Sequence, residues 1–406
     1  MAQDKDQKTL NVPPLRFTGF TDEWNPTPLN QMVERVTRKN TGEESKVALT
    51  ISAQYGLVDQ ESFFNNKVAS SDLSHYYLLY KGDYAYNKSY STGYPWGAVK
   101  RLNMYDKGAV STLYICFRPF DIVDSDFIGH YFESTKWHKG VSEIAVEGAR
   151  NHGLLNIGIK DFFDTVHFIP SLAEQRKIAN LLSLIDERIA TQNKIIEYLQ
   201  SLIKGLIQYL VRDGLKKGTW LKVMLSEILH ERNELNKEYY PVHSVSVSVG
   251  IVNQVEYLGR SFAAKDTAHY HVVKHGDIVY TKSPTGNQPY GIIKQSYCQN
   301  PVAVSPLYGV YEPNSYELGN ILHYYFLNPK NTNNYLLPLI QKGAKNTINI
   351  TNRRFLENSV PLPISKDEII SVSRTLSTLN AKIKLENNAL DSLLMQRRYL
   401  LNQLFI

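Results

Sequence analysis

KIANLLSLIDERIATQNKIIEYLQSLIKGLIQYL at 177–210 and SVSRTLSTLNAKIKLENNALDSLLMQRRYLLNQL at 371–404 decide the architecture, because neither contains proline and both carry apolar residues at alternating spacings of four and three. The first seam runs through Ile178, Leu182, Ile185, Ile189, Gln192, Ile196, Leu199, Ile203, Leu206 and Leu210. The second runs through Val372, Leu376, Leu379, Ile383, Glu386, Leu390, Leu393, Arg397, Leu400 and Leu404, each lying 194 residues beyond its counterpart. A 3.5-residue period held over about four heptads predicts a coiled coil, although a long helix laid on a globular core gives the same pattern. Gln192 and Glu386 stand near the midpoints of the two helices. In an antiparallel pair midpoints meet, so these two residues either fix the register by hydrogen bonding or reach solvent at the seam edge.

Working outward, the same offset of 194 recurs through the rest of the chain. GDYAYNKS at 82–89 matches GDIVYTKS at 276–283, Pro95-Trp96-Gly97 matches Pro289-Tyr290-Gly291, and Lys100 matches Lys294. Val110-Ser111 and Leu113-Tyr114 fall on Val304-Ser305 and Leu307-Tyr308, and after a one-residue shift Gly148-Ala149-Arg150-Asn151 falls on Gly343-Ala344-Lys345-Asn346. The first part of each half mixes β-branched and aromatic runs with Gly, Pro and Asn turns, as in ALTISAQYGLV (48–58) and YHVVKHGDIVYTKSPTGN (270–287). The expected fold is therefore mixed α+β. Two duplicated strand-rich domains, 1–170 and 213–364, are separated by two long antiparallel coiled-coil helices, 171–212 and 365–406, about a pseudo-twofold axis.

The 406 residues exceed one ordinary domain, and a formal net charge of +6 fits a polyanionic partner without requiring one. Cys116 and Cys298 are far apart with no closely spaced His, which argues against a disulfide framework or a zinc site and for a reducing cytoplasm. The start, MAQDKDQKTLNVPP, lacks the apolar stretch of a secretory signal, and no later run is apolar enough to span a membrane. The expectation is a soluble cytoplasmic protein.

Catalytic patterns are missing. GDYAYNKS and GDIVYTKS imitate a phosphate-cradling loop, but Asn87 and Thr281 stand where the second glycine must be. No D-P-P-Y or N-P-P-Y step and no glycine fingerprint occurs, and His230-Glu231 is not followed by the second histidine of a zinc pair. The duplicated stretches instead suit a Gly-Asp turn leading into a strand that ends in Lys88 and Lys282, where an ammonium can neutralise a phosphate or merely face solvent. Candidate DNA contacts are Lys88, Ser89, Tyr90, Trp96 and Lys100, with Lys282, Ser283, Tyr290 and Lys294 in the second half. Arg150-Asn151 and Lys345-Asn346 are basic turns that suit a groove or a plain surface equally.

The layout of domain, helix, domain, helix resembles the specificity subunit of a Type I restriction-modification system. The resemblance is carried by VPPLRFTGFTDEW at 12–24 and IPSLAEQRKIANLLSLIDERI at 169–189, while PLPISKDEIISVSRTL at the second helix entry departs from the usual acidic-glutamine-arginine step. It implies that each domain reads one half of an interrupted double-stranded DNA target. The helices would set the gap and dock two modification subunits, which carry S-adenosylmethionine and methylate adenine. Two restriction subunits would supply ATP- and Mg-dependent translocation and cleavage. The chain itself would bind no cofactor and no metal and catalyse nothing. The alternatives are the recognition portion of another restriction-methylation enzyme, or a coiled-coil protein-interaction module.

Overall fold

The computed structural model describes residues 10–64, 72–91, 93–145, 155–260, 263–282, 285–286, 288–342 and 348–406. The chain divides into two compact units, one formed by Met1–Thr191 with Leu390–Ile406 and the other by Gln192–Ala389. Each long helix is continuous, Leu172–Lys217 and Lys366–Gln403, and each gives one part of its length to either unit.

The first unit is built on a four-stranded antiparallel sheet in the order Val33–Arg35, Ile115–Pro119, Tyr84–Asn87, Ala98–Arg101. A second sheet orders Gly56–Asp59, Ala48–Ser52, Lys107–Val110 and Tyr77–Tyr80, and a ribbon pairs Asn25–Pro28 with Val166–Ile169. Aromatic residues dominate the core because these strands are short and must bury much area per residue. Trp24, Tyr84, Tyr86, Phe117, Phe127 and Phe162 are each 1% exposed or less, and Ile178, Leu182 and Ile185 of the first long helix pack with Leu400, Leu401 and Leu404 of the second in the same cluster.

The second unit repeats the central sheet in the same spatial order, Leu229–Glu231, Gly309–Pro313, Ile278–Thr281, Ile292–Gln295. Trp220–Met224 pairs with Ser359–Pro363 as Asn25–Pro28 does with Val166–Ile169. Both sheets are followed by a helix with an acceptor at its N-cap: Asp124 receives the amide of Phe127, and Ser315 that of Leu318.

No position of either heptad seam is exposed. In the first unit, seam residue Arg397 forms a two-pronged ion pair with Asp186 at 2.5 and 3.3 Å, joining the two helices. In the second unit, the Gln192 amide donates to the Glu386 backbone oxygen at 3.0 Å and to its carboxylate. Lys382 and, after it, Gln192 hold the Glu386 carboxyl below its ordinary range.

The words VPPLRF and LAEQR turn out to be one joint within the first unit. Arg16 grips the 1% exposed Glu174 through two bonds of 2.7 and 2.8 Å, and the buried Gln175 accepts the Asp124 amide while donating to the Pro170 carbonyl. In the second unit Glu368, 194 residues on, instead accepts the Trp220 indole N–H at 2.7 Å. With Glu174 engaged by Arg16, the equivalent indole of Trp24 has no partner among the described residues.

Candidate nucleic-acid interface

Each central sheet presents one hairpin that carries the duplicated words. Gly82 and Gly276 adopt φ of +94° and +91°, a region open to glycine at little cost, and so turn the chain into the strands Tyr84–Asn87 and Ile278–Thr281. The adjoining aspartates are buried, 0% and 2% exposed, and point inward rather than at a ligand. Asp83 accepts Arg38 Nη2 and Arg118 Nε, both at 2.6 Å, and the Tyr80 amide at 2.8 Å. Asp277 accepts Arg232 Nε and Nη2 at 2.8 and 3.0 Å, and the Lys274 amide at 2.8 Å. Burial raises the Asp277 carboxyl, and Arg232 opposes that rise. Sequence reading missed these arginines, yet Arg38 and Arg232 also stand 194 residues apart, and that equivalence was the available signal.

At the far end of the hairpin the Pro-aromatic-Gly words explain themselves by contact. A Cβ on Gly97 would stand 2.2 Å from the Asn87 carbonyl oxygen, and one on Gly291 would stand 2.0 Å from that of Thr281. The backbone carbonyl before that glycine is fixed in turn, Trp96 O by the Tyr86 hydroxyl at 2.7 Å and Tyr290 O by that of Tyr280 at 2.9 Å.

The sequence-selected residues therefore divide by environment. Tyr90 is 60% exposed on the hairpin loop. Lys88 is half-buried and donates to the Ile157 carbonyl at 3.2 Å, while the half-buried Ser89 gives its amide to Asn87 Oδ1. Trp96 is half-buried against the first core, and Tyr290 is half-buried too. Lys282 is half-buried beside Glu231, and burial lowers its ammonium below the usual range. Lys100 is 9% exposed and ion-paired to Glu133 at 2.5 Å. Lys294, 3% exposed, is pushed down to about 8 by burial and secondarily by Lys204. Arg150, Asn151, Ser283, Lys345 and Asn346 lie outside the described residues.

Two of the clefts on the first unit are lined by arginines. One, of about 370 Å³, brings Lys81, Arg118 and Arg176 together beside Asp121 and Asp124. The other, of about 360 Å³, is lined by Lys100, Arg101, His130 and Arg397 against Asp126, Glu133, Asp186 and Glu187. Among the described residues no group of three or more His, Cys, Asp or Glu is placed to hold a metal ion, and no helix is long and apolar enough to cross a membrane.

No family model matches the sequence. The structure is similar to the crystal structure of a Type I restriction-modification system S subunit from M. genitalium, with a TM-score of 0.56 and 16% identity over 97% of this chain and 99% of that chain. An HsdS subunit from Thermoanaerobacter tengcongensis also matches, at a TM-score of 0.42, 17% identity and coverage of 94% and 96%. So does a chain from a structure addressing complex assembly and conformational transition of the type I R-M system, at 0.49, 15%, 94% and 97%. The first of these likenesses extends over both units and both long helices, and it gives this chain the fold of a Type I S subunit.

Proposed function

We propose that this chain is the non-catalytic DNA sequence-specificity subunit of a Type I restriction-modification complex. Residues 1–170 and 213–364 are its two target-recognition domains, each reading one half of a bipartite duplex. The helices set the spacer and dock two modification subunits, with two restriction subunits completing a cytoplasmic complex. S-adenosylmethionine, ATP and Mg belong to those partners. The observation that carries the reading is the fold shared over 97% of the chain with an S subunit, in a sequence whose two halves repeat at one offset.

Two further features support it. The exposed Tyr90 and the half-buried Lys88 and Lys282 lie on equivalent hairpins of the two central sheets, as two half-site readers require. Outside its seam, the first long helix exposes Ile195, Tyr198, Leu202 and Tyr209 by 39, 68, 39 and 50%, an apolar stripe suited to another protein chain.

The test is methylome sequencing of a host that carries this chain with its modification subunit, before and after residues 1–170 are exchanged for the equivalent domain of a relative. A bipartite methylated motif that changes in one half alone is the expected result. Absence of any sequence-specific methylation, or a change in both halves together, would overturn the reading.

A further inference from the structure

The two units carry the same lysine and histidine where the recognition domain meets the long helices, but balance them differently. In the first unit Lys100 is paired to Glu133, Arg397 to Asp186, and the His130 ring lies 3.8 Å from Asp186 and 3.0 Å from the Ser183 hydroxyl. The joint supplies its own carboxylates.

At the offset of 194 Lys100 and Ser183 meet Lys294 and Ser377, and with a one-residue slip that lays IGHYFE (128–133) on ILHYYF (321–326) His130 meets His323. The carboxylate positions are not kept: Phe326 stands for Glu133, and Asn380 for Asp186. His323 is 9% exposed, accepts the Gln295 amide at its Nδ1, and is pushed down to about 3 by burial and then by Lys294, so it stays a neutral imidazole and is no counter-ion for the lysine. Its ring meets that of Tyr297 edge-on at 5.4 Å, and Lys384 of the second long helix lies 5.8 Å over the same Tyr297 ring. The ammonium of Lys204, on the first long helix, acts on Lys294 as a like charge. Asn320 bonds to Tyr297, Ser373 and Ser377, which spends the neighbouring polar groups on one another. Among the described residues none of Lys204, Lys294 and Lys384 has a carboxylate partner, although Lys294 is 3% exposed. A lysine only 3% exposed and without a counter-ion is held at a cost that an approaching carboxylate would relieve.

We propose that this joint of the second unit is a carboxylate-accepting site, with Lys294 at its base and the exposed Lys204 and Lys384 at its rim, filled by an acidic segment of another protein chain. The first unit shows which chemistry fits, since the same lysine and histidine there are served by Glu and Asp. Its own carboxylates close that site, so the two halves of a duplicated chain are made unequal toward an acidic partner. The inference goes beyond DNA recognition and stands whether or not the half-site reading holds.

The experiment measures fluorescence anisotropy of a labelled hexaglutamate peptide with the full-length chain at low salt. Binding is expected, weakened at least tenfold by Lys294→Met and by Lys204→Met, and unchanged by Lys222→Met, a lysine on the Trp220–Met224 ribbon. Lys384→Met, on the other side of the rim, is expected to weaken binding comparably. Should Lys294→Met fail to fold by circular dichroism, the exposed Lys204 and Lys384 carry the test. Equal binding by all variants would overturn the proposal. So would an unlabelled oligothymidylate of equal charge that displaces the peptide more strongly than hexaglutamate does, because the joint would then be a phosphate site.

Discussion

Truncating Arg16 to alanine should unfasten the first unit far more than an exposed ion pair would. Its guanidinium holds Glu174 through both Nε and Nη2, and the Glu174 side chain is only 2% exposed while that of Arg16 is 15% exposed. A surface pair contributes about 0 to 1 kcal/mol, but removing one member of a buried pair strands the other charge at a cost of about 3 to 5 kcal/mol. For a unit of roughly two hundred residues, at about 2 to 4 °C per kcal/mol, Tm should fall by about 6 to 20 °C. The double variant Arg16→Met, Glu174→Met removes both charges and keeps the apolar stems, so it should recover most of the loss. Its cost should lie well below the sum of Arg16→Met and Glu174→Met. Scanning calorimetry and urea midpoints of the parent chain, the two Met singles and the Met double measure the cycle, with Arg16→Ala measured alongside. A loss under about 1 kcal/mol for Arg16→Ala, or strictly additive singles, would refute the assignment of VPPLRF and LAEQR as a buried electrostatic joint.

Three other outcomes follow from the contacts. Gly97→Ala and Gly291→Ala should each cost at least about 2 kcal/mol in urea unfolding, since the new methyl meets a backbone oxygen at 2.2 or 2.0 Å and φ is +79° or +112°; neutral substitutions would mean that the hairpin relaxes freely. His167, 3% exposed between the Tyr131 and Thr165 hydroxyls, is held at about 4 by burial, so its neutral form favours the fold. The unfolded chain takes up the proton first, and about 3 kcal/mol should be lost as pH falls from about 6.5 to 4, absent in a folded His167→Gln variant and checked by following the imidazole proton by NMR. Inserting one heptad after Gln192 and another after Glu386 lengthens the helices by about 10 Å with the seam in phase and should widen the methylated motif's gap by about one to three base pairs; an unchanged gap in an active complex would exclude the helices as the ruler.

Much was legible because it is local or periodic. The heptad phase, the offset of 194 and the Gly-Asp turns depend on neighbours a few residues away or on comparing one half with the other, and the seams and central sheets appear where those patterns lie. The lysines show where this ends. Strand residues alternate between faces, but whether a lysine on such a strand meets water or a helix depends on what packs across it. Lys100 finds Glu133, 33 residues on, and Lys294 finds no such carboxylate among the described residues, although the two occupy the same word in the repeat.

By itself the sequence determined the duplication, the strand-rich halves and the helices with their apolar seams, since backbone propensity and hydrophobic period are written along the chain. Only the tertiary structure decided that the compact units divide within the helices. It also decided that Asp83 and Asp277 anchor arginines, that VPPLRF closes on LAEQR, and that one repeated lysine is neutralised while its twin has no carboxylate partner among the described residues. Each of those depends on groups far apart in sequence, whose pairing is fixed by burial: a charge removed from water must find its counter-ion wherever the fold brings one.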